Sequence, residues 1–339
     1  MAEGESGSSI AWSEELGRHV RVGPVEDHGI APVELIDRAI RAGEWGEAAH
    51  LLEFFMEIGA VRFASYHSGR WLKIDKWLAA HGTEPETVAA ERLRLLDALG
   101  GEVGRFDPAR EWLDLNATAG ELAGAMRAGL LDEAEALAAV ERLRSTYRRV
   151  HDFVHDIVCG LLAFVVEHHG EPALGECMRF VLEGTTRAPE PEQSVRYVID
   201  GMLGHLSGAG RRGGIEVTDL DDRWQIEFDP CGSGGRSYAD QEESGSPWRA
   251  EQEPGFDLLS GAYDWTWNQT GVCQYCTHCA IGMQQIPIEQ HGAPVVDVEP
   301  PRGVRGSPEA ERSRCRFTVY KSIDSIPASA FERVGLQRP

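Results

Sequence analysis

The chain has 339 residues, with 55 acidic against 33 basic side chains and a formal net charge of −22. That length suits two ordinary domains, and 42% hydrophobic with 26% charged residues is the composition of a folded protein rather than a disordered one. So acidic a chain lacks the concentrated cationic face that phosphate neutralisation requires, so nucleic acid is not an expected partner. The longest apolar run, residues 157–166, holds ten residues including Cys159 and Gly160, well short of the roughly 20 a membrane helix needs. MAEGESGSSIAW lacks the basic start and apolar stretch of a secretory signal. Residues 1–29 therefore read as a flexible tail, and the expectation is a cytoplasmic protein with no membrane partner.

From about residue 30 to 208 the apolar residues fall at helical spacing without sustained alternation. Pro32 marks a helix start, and Leu35, Ile36, Ala39 and Ile40 form a stripe that ends near Gly43. Trp45, Ala48, Leu51, Leu52 and Phe55 share one face of a longer helix, which breaks near Ser68 and Gly69 before WLKIDKWLAAHG resumes it. ELIDRAIRAGEWGEA from Glu34 aligns with ELAGAMRAGLLDEA from Glu121 once one residue is skipped. This pairs Arg41, Ala42, Gly43 and Ala48 with Arg127, Ala128, Gly129 and Ala134 at an offset of 86. Further on, His81 and Gly82 match His169 and Gly170, and together the matches predict two related helical hairpins. Arg142, Arg144, Arg148 and Arg149 alternate with acids and read as a solvated helix face.

RAPEPEQS (187–194) punctuates the chain as a linker, one more helix is expected over about 195–206, and the polar turn SGAGRRGG follows. The pattern then changes to short alternating runs, IEVTDL, RWQIEF, QIPIEQ, APVVDV and CRFTVYK, which predict an antiparallel sheet. SGGRSYADQEESGSPWRAEQEPG between them reads as a surface loop. The expected fold is α+β: a helical N-terminal half of two related hairpins, then a small antiparallel sheet domain with a Cys-rich metal site. The expected divisions are a tail over 1–29, a helical domain over 30–118, an α+β domain over 119–325 and a C-terminal tail over 326–339.

Seven cysteines stand at 159, 177, 231, 273, 276, 279 and 315, and an odd number without a signal peptide does not suggest a disulfide framework. Three lie in GVCQYCTHCA, spaced three apart, and Cys231 lies in FDPCGSGGR at a strand end. Crowded thiolates repel unless a cation neutralises them, so this density points to a metal. Cys276, Cys279 and Cys231 make the best three-ligand set for zinc. Cys273 as fourth ligand would close the site structurally; a histidine or water there would leave it open. CxxCxxC with a remote cysteine also fits a [4Fe–4S] cluster, although the remote cysteine lies upstream and no Pro follows it. Cys159, Cys177 and Cys315 read as buried core thiols.

His278 lies inside the cysteine motif and His205 on the helix before the sheet, so both are candidate proton carriers. Glu289 in IPIEQHG is a candidate general base if it points to the metal. HDFVHD places His151 and His155 one helical turn apart, as it does Asp152 and Asp156, a geometry that could hold a metal on a helix face but is less specific than the cysteines and is read first as a surface or partly buried pair. His168 and His169 suit a helix C-terminus. GSGGR resembles an anion cradle but matches no phosphate-loop fingerprint, and its glycines read instead as letting the backbone wrap close to the metal at Cys231.

The order of elements carries a resemblance: helices, a glycine turn, RWQIEFDPC, a loop, the pair in CTHC, two strands with GAP between them, and CRFTVYK. Over about residues 120–322 this resembles the 4-vinyl reductase domain and the related L-2-amino-thiazoline-4-carboxylic acid hydrolase family. The resemblance implies a helical layer on an antiparallel sheet, a small-molecule pocket between them and, in some members, a metal near the cysteines. Cys231, Cys276, Cys279 and Cys315 carry over by motif. Cys273 is an addition, and a cysteine expected shortly upstream of the final strand is missing from GVRGSPEAERSRC. DPCGSGG with YCxHC is also similar to an uncharacterised bacterial family. The functional expectation is a zinc–thiolate hydrolase or lyase acting on a small molecule. The alternatives are a binding or assembly module with a structural four-cysteine zinc site and an iron–sulfur redox protein. The helical hairpins suit a scaffold or a homodimer surface.

Overall fold

The start and stop signals at Pro32 and Gly43 are realised in the first helix. The computed structural model describes residues 9–14, 18–100, 107–184, 190–238, 257–301 and 314–339. In it α1 (Pro32–Ala42) opens on a proline whose missing N–H costs nothing at a helix start. It closes on Gly43 in the left-handed region at φ 74°. α2 (Trp45–Ala64) passes through a π-helical turn, Ser65–Arg70, into α3 (Trp71–Ala80), so the expected break is a widened turn within one helical run. α4 (Pro85–Gly100), α5 (Pro108–Arg127), α6 (Glu133–His169), α7 (Glu171–Leu182) and α8 (Pro191–Gly204) follow. The 37-residue α6 begins at a capping box between Asp132 and Glu135.

The paired sequence segments are paired in space. Gly43 and Gly129, both with positive φ, lie in the turns of hairpins α1–α2 and α5–α6, and α2 packs along α5 while α1 packs on α6. At the other end His81 and His169 meet on Trp77, with ring centroids 3.9 and 5.4 Å from the indole. Because α6 spans both the hairpin and the site below, the division expected at 118/119 does not separate two cores. That position falls inside α5, and one contiguous apolar cluster runs from Ile10 to Val334.

Both termini pack more closely than tails. β1 (Ile10–Ser13) and β2 (Arg18–Arg21) form a hairpin tied to α2 by Ser9–Glu47 at 2.8 Å and His19–Glu57 at 2.8 Å; residues 1–8 lie outside the described residues. The main sheet is antiparallel in the order β3–β4–β6–β5, with β3 (Glu216–Asp219), β4 (Arg223–Phe228), β5 (Asp297–Glu299) and β6 (Cys315–Tyr320). QIPIEQ is not a strand. A π-helical turn, Ala280–Gln285, leads into α9 (Ile286–His291), where Pro287 sits at the helix start and Ile286 and Ile288 both reach the core. α10 (Ala328–Glu332) seals the sheet, with Ala330, Phe331 and Val334 fully buried. Of the arginines expected on a solvated face, Arg144 is buried and donates to the Arg211 carbonyl at 3.0 Å. Among the described residues no helix is long and apolar enough to cross a membrane.

Candidate functional site: a buried thiol cluster beside a cavity

β4 delivers Cys231 to the face of the helical layer, and a glycine-rich turn carries the chain onward through Gly234–Ser237. The glycines are required by contact. A Cβ at Gly232 would lie 2.6 Å from the His205 carbonyl carbon, one at Gly234 2.5 Å from Cys276 Sγ, and one at Gly235 2.5 Å from Cys231 Cβ. The turn therefore presses on α8 from one side and on the Cys276 thiol from the other. Only the first residues of the expected surface loop are described, and residues 233–237 are buried.

Cys273, Cys276 and Cys279 lie on the consecutive helical turns Gln274–Cys276 and Thr277–Cys279 and the residue before them. All seven cysteines are free and buried. The Cys276 thiol is pushed well above its ordinary range by its hydrogen bond with Cys273, by burial, and by the charges Cys273, Cys279 and Cys231 would carry. Burial, then Cys231, push Cys279 up as well, and burial with Cys231 and Cys279 does the same at Cys315. Five thiols from three parts of the chain thus share one electrostatic neighbourhood, in which the charged form is disfavoured at Cys276, Cys279 and Cys315. Ser237 donates to Cys273 Sγ at 3.1 Å, and Ser233 lies 3.1 Å from Cys231 Sγ.

His278 connects this cluster to a cavity. Its Nδ1 is 2.7 Å from the Tyr275 carbonyl, which only accepts, so Nδ1 carries the proton and Nε2 is the acceptor, 3.4 Å from Cys279 Sγ. Burial, then Arg70 and Arg62, hold the imidazole well below its ordinary protonation range. With the thiol pushed up and the imidazole pushed down, the neighbours remain a neutral pair, unlike the thiolate–imidazolium pair of a nucleophilic cysteine. The cavity is about 200 Å³ and opens between α3, α7, α8 and the Ala280–Gln285 turn, with Arg70, Lys73, Leu182, His278 and Met283 on its walls.

The other candidates are placed elsewhere. Glu289 is on the exposed side of α9 and paired with Arg179 at 2.8 and 3.0 Å, so it does not face the thiols; the helical form of QIPIEQ turns it outward. His205 ends α8 and lies in a buried network on α6. There Asp152 accepts from His151 Nδ1 at 2.9 Å, and His151 Nε2 lies 2.9 Å from His205 Nδ1. HDFVHD is wholly buried rather than a surface pair, because two arginines neutralise its acids. Arg211 bonds Asp152 at 2.8 Å and Arg236 bonds Asp156 at 2.9 Å, with neither arginine exposed. Burial disfavours the Asp152 carboxylate, but Arg211, Arg236 and His151 outweigh it and hold its pKa far below the usual range.

Among the described residues, His155, Asp156 and Cys159 are the one group of three donor atoms all within 4.8 Å of one another; the cysteine cluster does not draw that close. The Arg236 guanidinium already occupies the charge of that group, 2.9 Å from Asp156 and 3.4 Å from His155 Nδ1, so a second cation there would be repelled. We therefore assign it to the core. The arginines were the residues hidden from sequence reasoning. Their one signal was that two Gly-rich turns, SGAGRRGG and GSGGR, each carry arginine opposite a helix with acids four apart.

Compared with known proteins, the chain matches no family model, no curated protein and no solved structure.

Buried histidines, among them His28, His151 and His205, set an acid limit on the fold. Burial, then Arg196 and Arg21, lower His28 from 6.5 to about 4, and burial chiefly lowers His151 and His205 as well. Unfolding lets each take up a proton at its ordinary value, so the unfolded chain binds more protons below that value. Stability contributed above pH 6.5 is therefore lost progressively as pH falls toward about 4, and Asp152 adds a further loss below its ordinary 3.8. Urea midpoints at pH 7.5, 6.0 and 5.0 should fall in that order; a flat profile would contradict neutral burial of these groups.

Proposed function

We propose that the protein is a zinc–thiolate enzyme that hydrolyses or eliminates a bond in a small organic molecule. The observation that carries this reading is the meeting of thiols from separate chain segments in one buried place whose edge, His278, lines a cavity. Cys231, Cys276 and Cys279 would hold the metal, and the donor set fits zinc in composition. When bound, zinc supplies an acidified water or a polarised substrate group. His278 offers Nε2 as the proton acceptor nearest the cavity, which favours it over His205 for the proton-carrying role. A second reading is favoured by the Cys273–Cys276 hydrogen bond: Cys273 closes a four-thiolate site and the metal serves only folding.

Metal content and an absorption spectrum, on protein purified anaerobically without added metal, test both readings. The enzyme reading expects about one zinc per chain, retained in Cys273→Ala and lost in Cys276→Ala. Zinc lost from both variants supports the closed site instead. Iron with sulfide and a brown colour would replace both readings by a [4Fe–4S] protein.

A further inference from the structure

The walls of the cavity beside His278 depart from the rest of the chain in charge. Acids outnumber bases 55 to 33 overall, yet among the described residues the cavity is lined by Arg70 and Lys73 with no aspartate or glutamate. Both cations are fixed in direction. Arg70 donates to the Tyr275 hydroxyl with its guanidinium carbon 5.2 Å from the centre of that ring. Lys73 spends two of its N–H bonds on the carbonyls of Val181 and Glu183, at 2.8 and 2.9 Å, which pins the ammonium at the mouth of α7. The remaining wall is apolar, from Val181, Leu182, Met283 and Val295.

We infer that this cavity binds a small organic anion, its charged end at Arg70 and Lys73 and its apolar body against Leu182, Met283 and Val295; the inference rests on reading the cavity as the substrate pocket. Charge selects the class. An anion taken from water into a partly enclosed site needs a cation and hydrogen-bond donors there, and a cationic ligand would meet two like charges. Size limits the body. A dry cavity of about 150 Å³ admits benzene, so about 200 Å³ admits one small ring or a branched chain with its charged group and little more. Met283 adds a wall that adapts to the outline of the apolar part. The end of the ligand opposite Arg70 is not fixed by charge, so selectivity among anions of this size is set by shape.

Titration calorimetry with benzoate and with its neutral counterpart benzamide, on the full chain as purified, tests this. Benzoate is expected to bind more tightly than benzamide by at least about tenfold, the worth of one charge-assisted hydrogen bond. Arg70→Met is expected to weaken benzoate by at least about tenfold while moving benzamide by less than about twofold. Lys73→Met keeps the test valid should Arg70→Met fail to fold, and is expected to weaken benzoate selectively too. No benzoate binding, equal affinity for the two probes, or equal losses for both probes in the variants would overturn the inference. Zinc measured on the same samples separates the two readings. Zinc present without benzoate binding sinks the anion site alone, and selective benzoate binding without zinc upholds the anion site while removing the metal.

Discussion

Arg236→Met is expected to cost about 3–5 kcal/mol of unfolding free energy, the loss typical of a buried ion pair deprived of one partner. Arg236 has no exposed surface, and its guanidinium lies 2.9 Å from Asp156, 3.5 Å from Asp152 and 3.4 Å from His155 Nδ1. Without it the Asp156 carboxyl, 1% exposed, loses the guanidinium 2.9 Å away. The cost is therefore chiefly the burial of a carboxylate deprived of its guanidinium. Arg236→Met combined with Asp156→Leu removes both charges and should recover most of the loss, because apolar replacement of a whole buried pair is often neutral. Urea unfolding of the two single variants and the double variant gives the cycle. Additive losses would show that Arg236 matters through packing and not through Asp156.

Gly232→Ala is expected to destabilise by about 2–4 kcal/mol, from overpacking and displaced hydrogen bonds, and to lower zinc retention. The new methyl group would overlap the His205 carbonyl, with its carbon at 2.6 Å, and both sides of that contact are backbone, so no side chain can swing aside. The turn must lift from α8. Lifting it strains the Gly232 N–H bond to Ser207 Oγ at 3.0 Å and the Arg211 bond to the Gly232 carbonyl at 3.3 Å. Cys231, the preceding residue, moves with it. Gly120→Ala is the control of opposite sign: it lies inside α5 with nothing within 4 Å of its Cβ position. There alanine should stabilise by about 0.5–1 kcal/mol. Equal effects of the two changes would remove the argument from close approach.

These two variants bear on what the sequence made legible. The hairpins were visible because Arg-Ala-Gly recurs at a helix end, and Gly43 and Gly129 both take the left-handed conformation that only glycine adopts freely. Strands β3 and β4 were visible because alternation survives where one sheet face is buried, and β6 through the polar–apolar order of CRFTVY, although Phe317, Thr318 and Val319 are all buried. QIPIEQ was misread because Ile286 and Ile288 are both buried at a short helix covered from two sides, which imitates alternation. The thiol neighbourhood was legible from spacing, and so was the close backbone approach at the glycines after Cys231. The charged core was not. His151, Asp152, His155 and Asp156 have the residue types of a surface, and their burial depends on Arg211 and Arg236, which arrive 59 and 80 residues later in the chain. Arg70 and Lys73 were equally silent, since only the meeting of α3 with α7 makes a cavity of them.

Zinc K-edge X-ray absorption on the native protein, with elemental analysis of the same sample, tests the thiolate centre most directly. The account predicts about one zinc per chain with three or more sulfur neighbours at about 2.3 Å. A protein without metal, or one whose metal is surrounded by nitrogen and oxygen alone, would contradict it.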